Sequence, residues 1–241
     1  MQDYLNSKLM SRRRALLGGG IALSAASVTM GSTSALAAVA RVRTVNLASA
    51  ESRSSIDPTT CQVIFIDMQT SLVATSATAE PAAISLSSGV MARVADLLKM
   101  PISFSVVPEG ENPPTLLDSL KPYSTRQNTL LRKLAGALTD SKTATAVAKN
   151  KRKKLIVAGF VAEVAVLQTV IDAIAEGYQV FYLVDCIGSQ SQRAESAAFR
   201  AMEQIGAVPT SVVSLIARLT PDFYSSPGKE AFTALQLLFK K

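Results

Sequence analysis

The stretch Leu155-Ile156-Val157-Ala158-Gly159-Phe160-Val161-Ala162-Glu163-Val164-Ala165, continued to Val180 as VLQTVIDAIAEGYQV, decides the fold. Leu155 to Gly159 is apolar on both faces, as in a strand buried on both sides of a parallel sheet. Val164 to Glu176 has helical spacing, with Gln168, Asp172 and Glu176 four residues apart on one polar stripe. That stripe is expected on a solvated or subunit-contact face. Gly177 stops the helix, and Val180 to Val184 is the next strand. A strand, a helix and a second strand within about thirty residues form a parallel crossover unit.

The same alternation extends in both directions. Upstream, Val63-Ile64-Phe65-Ile66 is an apolar strand ending at Asp67. Val90, Met91, Val94, Leu97 and Leu98 follow at helical spacing, ended by Pro101. Ile102 to Val107 is a strand, closed by the loop 108–114, and residues 129–150 read as helix-rich. Downstream, the strand from Val180 runs to Asp185-Cys186, Ala194 to Ile205 is a helix ended by Gly206, residues 208–214 form a strand, and Glu230 to Phe239 a last helix, whose apolar side around Phe232, Leu235 and Leu238 is a candidate subunit-contact face. This pattern predicts an α/β fold, a three-layer sandwich with a mainly parallel central sheet and helices on both faces. Chemistry in such sheets gathers at the carboxyl ends of the strands. That edge holds Asp67, Gln69, the 108–114 loop, Phe160 to Ala165 and Asp185 to Ser189.

Composition narrows the chemistry. The chain has 241 residues, with 25 Lys+Arg against 18 Asp+Glu and no histidine. Hydrophobic residues at 48% and charged residues at 18% exclude a chain disordered over most of its length. Absent histidine excludes His-ligated metals and His-based triads, and two cysteines, Cys61 and Cys186, cannot build a Cys-rich metal site. No cofactor or metal is expected. Cys61 begins one strand and Cys186 ends another, at opposite sheet edges, so no disulfide is expected between them. The basic run Lys149 to Lys154 has no interleaved aromatics and precedes a strand; it reads as a solvated helix end, with no nucleic-acid partner.

Residues 1–37 have the layout of an export signal: Arg12-Arg13-Arg14, an apolar Gly- and Ala-rich run, and small residues ending in Ala35-Leu36-Ala37. The arginine pair before a weakly apolar stretch resembles a twin-arginine signal, although Ala15, Leu16 and Leu17 stand where Phe and Leu are usual. The apolar run is short for a membrane span, and the mature chain has no other segment of that length. The expected organisation is a signal peptide over 1–37, a flexible lead-in over 38–58 and one domain over 59–241, exported by the twin-arginine machinery to a bacterial periplasm or beyond.

The ordered series of motifs carries a family resemblance. VIFIDMQ (63–69), PEGENPPTLLDSLKPY (108–123), the 155–180 stretch and VDCIGSQSQRAESAAFRAMEQIGA (184–207) are together similar to the isochorismatase-like cysteine hydrolases. The resemblance implies a Rossmann-like α/β/α fold, homo-oligomeric assembly and hydrolysis of C–N or C–O bonds by an Asp-Lys-Cys triad. In that mechanism a thiolate at a helix start has its pKa lowered by the dipole, and the Asp shuttles its proton. The basic residue holds the Asp charged, and backbone N–H groups before the nucleophile stabilise the oxyanion.

Carried over residue by residue, the Asp falls on Asp67 and the basic residue near Arg126, with Lys121 as competitor. Gln69, Phe160, Ala162 and Glu163 fall on substrate-binding positions. The nucleophile of the family's G-V-x-T-E-x-C stretch falls on Ala165, and its Thr on Ala162. A methyl group cannot attack a carbonyl, so the resemblance implies a catalytically degenerate member that retains a ligand pocket. The alternative is a hydrolase of a small amide or ester that uses Asp67 with Cys186 or an activated water. Cys186 lacks the helix-start setting that activates a thiol, and a buried role is the plainer expectation. The family's nicotinamidase branch holds a metal with Asp and His, which a chain without histidine cannot match.

Overall fold

The computed structural model describes residues 56–111 and 113–239; the expected signal segment, and the lead-in up to residue 55, lie outside the described residues. Six strands form one parallel sheet: β1 (Cys61–Ile66), β2 (Ile102–Val106), β3 (Thr129–Leu131), β4 (Lys154–Phe160), β5 (Gln179–Gly188) and β6 (Val208–Thr210). Their order is β3-β2-β1-β4-β5-β6. The apolar runs are central for the reason their composition suggests: β1 is buried at every position, and β4 at every position but the first.

Among the described residues, six helices of eight residues or more cover the two faces: α1 (Pro81–Leu97), α2 (Ser141–Lys149), α3 (Leu167–Ala175), α4 (Gln192–Gln204), α5 (Val212–Leu219) and α6 (Gly228–Leu235). Buried residues of α1, α5 and α6 share one apolar cluster with Val63, Phe65 and Phe104. Those of α2, α3 and α4 share the other with Ile64, Ile66 and Val157. This is the expected three-layer sandwich. Right-handed crossovers account for the split, since the helix face reverses when the chain, having laid β2 and β3 on one side of β1, adds β4 on the other. The reversal leaves a crevice beyond the carboxyl ends of β1 and β4.

Three stretches differ from the sequence expectation. Within 129–150 only Ser141–Lys149 is helical; Thr129–Leu131 is a strand beside β2, too short to show a period. Residues 208–214 are strand only to Thr210, because Ser211 caps α5 with its hydroxyl 3.2 Å from the Ser214 N–H. β5 does not stop at Asp185: it bulges between Tyr182 and Ile187, then pairs β4 again through Gly188. Both Asp185 carboxylate oxygens lie 3.0 Å from the Val212 N–H at the start of α5, so this side chain serves a helix end. The C-terminal helix divides its apolar residues between two surroundings. Leu235 is buried in its own core and Leu238 packs against it, which leaves Phe232 half-exposed with its ring tilted against Phe223.

Candidate functional site

Asp67 follows β1 in the left-handed region, at φ 52°, a conformation that Asp tolerates better than most residues. Its N–H is held by the Ser105 carbonyl at 2.8 Å. The turn presents a nearly buried carboxylate to the crevice. Arg132, directly after β3, meets it with two parallel bonds: Nη1 to Oδ1 and Nη2 to Oδ2, both 2.6 Å. Nη1 also donates to Ser105 Oγ at 3.1 Å, and Nη2 to the Ala135 carbonyl at 3.0 Å. Arg132 Nε is buried without a partner. Burial pushes the Asp67 carboxyl above its ordinary range, and the Arg132 bonds and charge oppose that rise.

The second wall follows β4. Residues Ala162–Val166 form a π-helical turn that leads into α3. The Phe160–Val161 peptide is cis. Gly159 permits the close approach of β1 and β4, for a Cβ there would lie 2.6 Å from the Ile66 carbonyl. Between the walls lies a cavity of about 680 Å³ lined by Asp67, Arg132, Phe160, Glu163 and Ala165, with Lys133, Leu134, Leu72, Thr75, Val107 and Gln190 among its other residues. Glu163 accepts a bond of 2.8 Å from the Ser189 hydroxyl, and Gln190 reaches Thr75 Oγ1 at 3.2 Å.

Asp67, Phe160, Glu163 and Ala165 are thus brought together; the other expected site residues are placed elsewhere. Arg126 is exposed in the turn before β3 and does not pair with Asp67; Arg132 holds that position. Lys121 is also distant from this role and pairs with Asp118 at 2.6 Å. Gln69 is fully buried, and its amide bonds the Val107 backbone in both directions, at 2.8 and 3.1 Å, so it fastens the loop after β2 and offers no group to a ligand. Ala162 is buried in the core behind the turn. Cys186 is fully buried in the α1-side core rather than facing the crevice, and burial raises its thiol well above the usual range. Cys61 is likewise buried and raised.

Arg132 and Lys133 escaped the sequence reading because a three-residue strand carries almost no pattern. The available clue was positional: once Thr129-Leu130-Leu131 is read as a strand, the next residue lies at the sheet edge that holds Asp67. Among the described residues, no group of three or more Cys, Asp or Glu side chains is placed to hold a metal ion, and no helix is long and apolar enough to cross a membrane.

The chemistry of this edge is that of a charged pair beside a cavity, with the Ala165 methyl late in the π turn facing it. A family model for the isochorismatase domain matches residues 61–214. Isochorismatase family protein 1B of Dictyostelium discoideum is 30% identical over 136 residues, 55% of this chain and 66% of its own length. The secreted isochorismatase effector Isc1 of Phytophthora sojae is 33% identical over 91 residues, 38% of this chain and 41% of its own. These matches span about two thirds of the first relative and less than half of the second. Among solved structures, the YcaC gene product of Escherichia coli, described as an octameric hydrolase of unknown specificity, superposes with a TM-score of 0.68 at 25% identity, covering 77% of this chain and 89% of that one.

Proposed function

This chain belongs to the isochorismatase family, and from that premise we propose that it is an exported, catalytically silent member that binds a small molecule in the cavity between β1 and β4. One observation carries the reading: Ala165, on the family's nucleophile position, lines the same cavity as Asp67 and Arg132. A pocket with its acid and its cation but no attacking atom suits binding better than turnover. In a well-studied serine protease, loss of the nucleophile costs roughly 10⁶ in turnover. Neither cysteine replaces it, since both are buried away from the cavity. Thr75 does not either, because its hydroxyl donates to the Leu72 carbonyl at 2.8 Å and accepts from the Gln190 amide at 3.2 Å.

Export is supported by the arginine-led segment over 1–37 and by likeness to a secreted relative. Homo-oligomeric assembly is supported by likeness to an octameric neighbour. N-terminal sequencing and light scattering of the protein recovered from its native compartment check both parts: a start near Ala38 and a mass above one chain are expected, and an intact leader on a monomer sinks them.

The silent reading is tested with Ala165→Cys. The native chain should hydrolyse no member of a panel of small amides and esters, and its folded form should resist iodoacetamide because both thiols are buried. The variant should gain one alkylation site at position 165, and any hydrolysis it acquires should vanish on alkylation. Enzyme-like turnover by the native chain refutes the silent reading.

A further inference from the structure

The cavity's polar groups differ in what they have left to offer a ligand. Asp67 and Arg132 neutralise each other, and the four terminal N–H groups of the guanidinium are engaged by Asp67, Ser105 and the Ala135 carbonyl. Nε is too deeply buried to reach out. Arg132 therefore cannot also clamp a ligand anion, although an arginine in this setting would ordinarily be the first candidate. Glu163 is held by Ser189 on the β4–β5 side. Lys133 stands on the opposite side, after β3, and is exposed. Among the described residues it is the one charged side chain lining the cavity that has no hydrogen bond or ion pair to the protein.

The rest of the wall is mainly apolar, with Val107, Leu134, Phe160 and Val164 prominent. An apolar slot with one uncommitted cation on its β3 side, and a carboxylate on the other, selects both charge and orientation. We propose that the cavity takes a small monocarboxylate carried on a compact apolar body, with the carboxylate on Lys133 and the body against Phe160, and that Lys133 determines this specificity. This rests on the ligand-binding reading above and adds the ligand's class. Lysine suits the task as a mobile point charge that needs no fixed fork geometry. The acid must point toward β3, since at the other end it would meet the Glu163 carboxylate.

The test uses benzoate and its neutral shape-mate benzamide as probes, followed by ligand-observed NMR titration of the native chain, Lys133→Met and Lys133→Arg. Benzoate should saturate in roughly the millimolar range, and benzamide should bind about five- to tenfold more weakly. In Lys133→Met, benzoate should fall to the benzamide level while benzamide is unchanged, and Lys133→Arg should restore benzoate. Because Lys133 is exposed, neither variant should impair folding. Equal affinity for the two probes in the native chain, or unchanged benzoate binding in Lys133→Met, overturns the proposal and leaves the pocket reading standing. Binding of neither probe overturns both. Hydrolysis of benzamide by the native chain sinks the silent reading alone, and benzoate inhibition that weakens in Lys133→Met would still support the charge preference.

Discussion

At the scale of the residue, Asp67 and Arg132 have a structural role independent of any reaction. Both are nearly buried and joined by two 2.6 Å bonds. Removing one partner of such a pair strands the other charge in low dielectric and typically costs about 3–5 kcal/mol, whereas replacing both with apolar groups of similar size is often close to neutral. Asp67→Ala and Arg132→Ala should each lower urea-unfolding stability by about that amount, and Asp67→Leu/Arg132→Met should recover most of the loss. Single variants costing less than about 1 kcal/mol would show that water enters and that the pair is not sealed. The residues also differ in how readable they were. Asp67 was legible because an apolar run that ends in a carboxylate is conspicuous. What holds Gln69 is contained in no pattern: its amide is consumed by the Val107 backbone, across the gap to the next strand.

Elements were legible in proportion to their length and periodicity. β1, β4 and the first half of β5 stand out as runs apolar on both faces, and α3 and α4 as amphipathic stretches. β3 and β6, three residues each, are defined by neighbours brought beside them by the fold. Between them, α2 shows local chemistry setting a boundary. Asp140 caps it, with Oδ1 accepting from the Thr143 N–H at 2.9 Å and from the Thr143 hydroxyl at 3.0 Å. The backbone bond to Thr143 lowers the Asp140 carboxyl below its ordinary value, with the hydroxyl bond adding to it. Asp140→Ala should destabilise the domain by about 1 kcal/mol at neutral pH. The sign of its pH dependence follows from the depressed value. The ionised cap stabilises above the unfolded aspartate's pKa of about 4, and that contribution is lost as the pH falls through the lower folded value. The gap between native chain and variant should therefore be constant near neutrality and close in acid, as read by denaturant unfolding at several pH values. A gap that widens in acid would contradict the capping role.

At the scale of the molecule, the sequence fell short where one side chain had two possible faces to serve. The C-terminal helix looked like an uncommitted apolar surface because Phe232, Leu235 and Leu238 recur at helical spacing. Such spacing tells which residues share a face but not what covers it. In the folded chain that face is divided: Ala231, Ala234 and Leu235 of α6 are buried in the cluster that includes α1 and α5, whereas Phe232, with Leu237 and Phe239 beyond the helix, remains exposed. The helix therefore closes one layer of the sandwich, and the two leucines near its end should behave oppositely. Leu235 is 2% exposed and Leu237 is 37% exposed. Leu235→Ala removes buried methyl groups from a packed layer and should cost about 2–5 kcal/mol, lowering the melting temperature by roughly 5–15 °C in a domain of this size. Leu237→Ala should stay within about 0.5 kcal/mol. Paired thermal melts on the two variants separate the alternatives. If Leu237→Ala were the damaging change and Leu235→Ala the silent one, the helix would owe its place to a neighbouring chain instead of to its packing on α1.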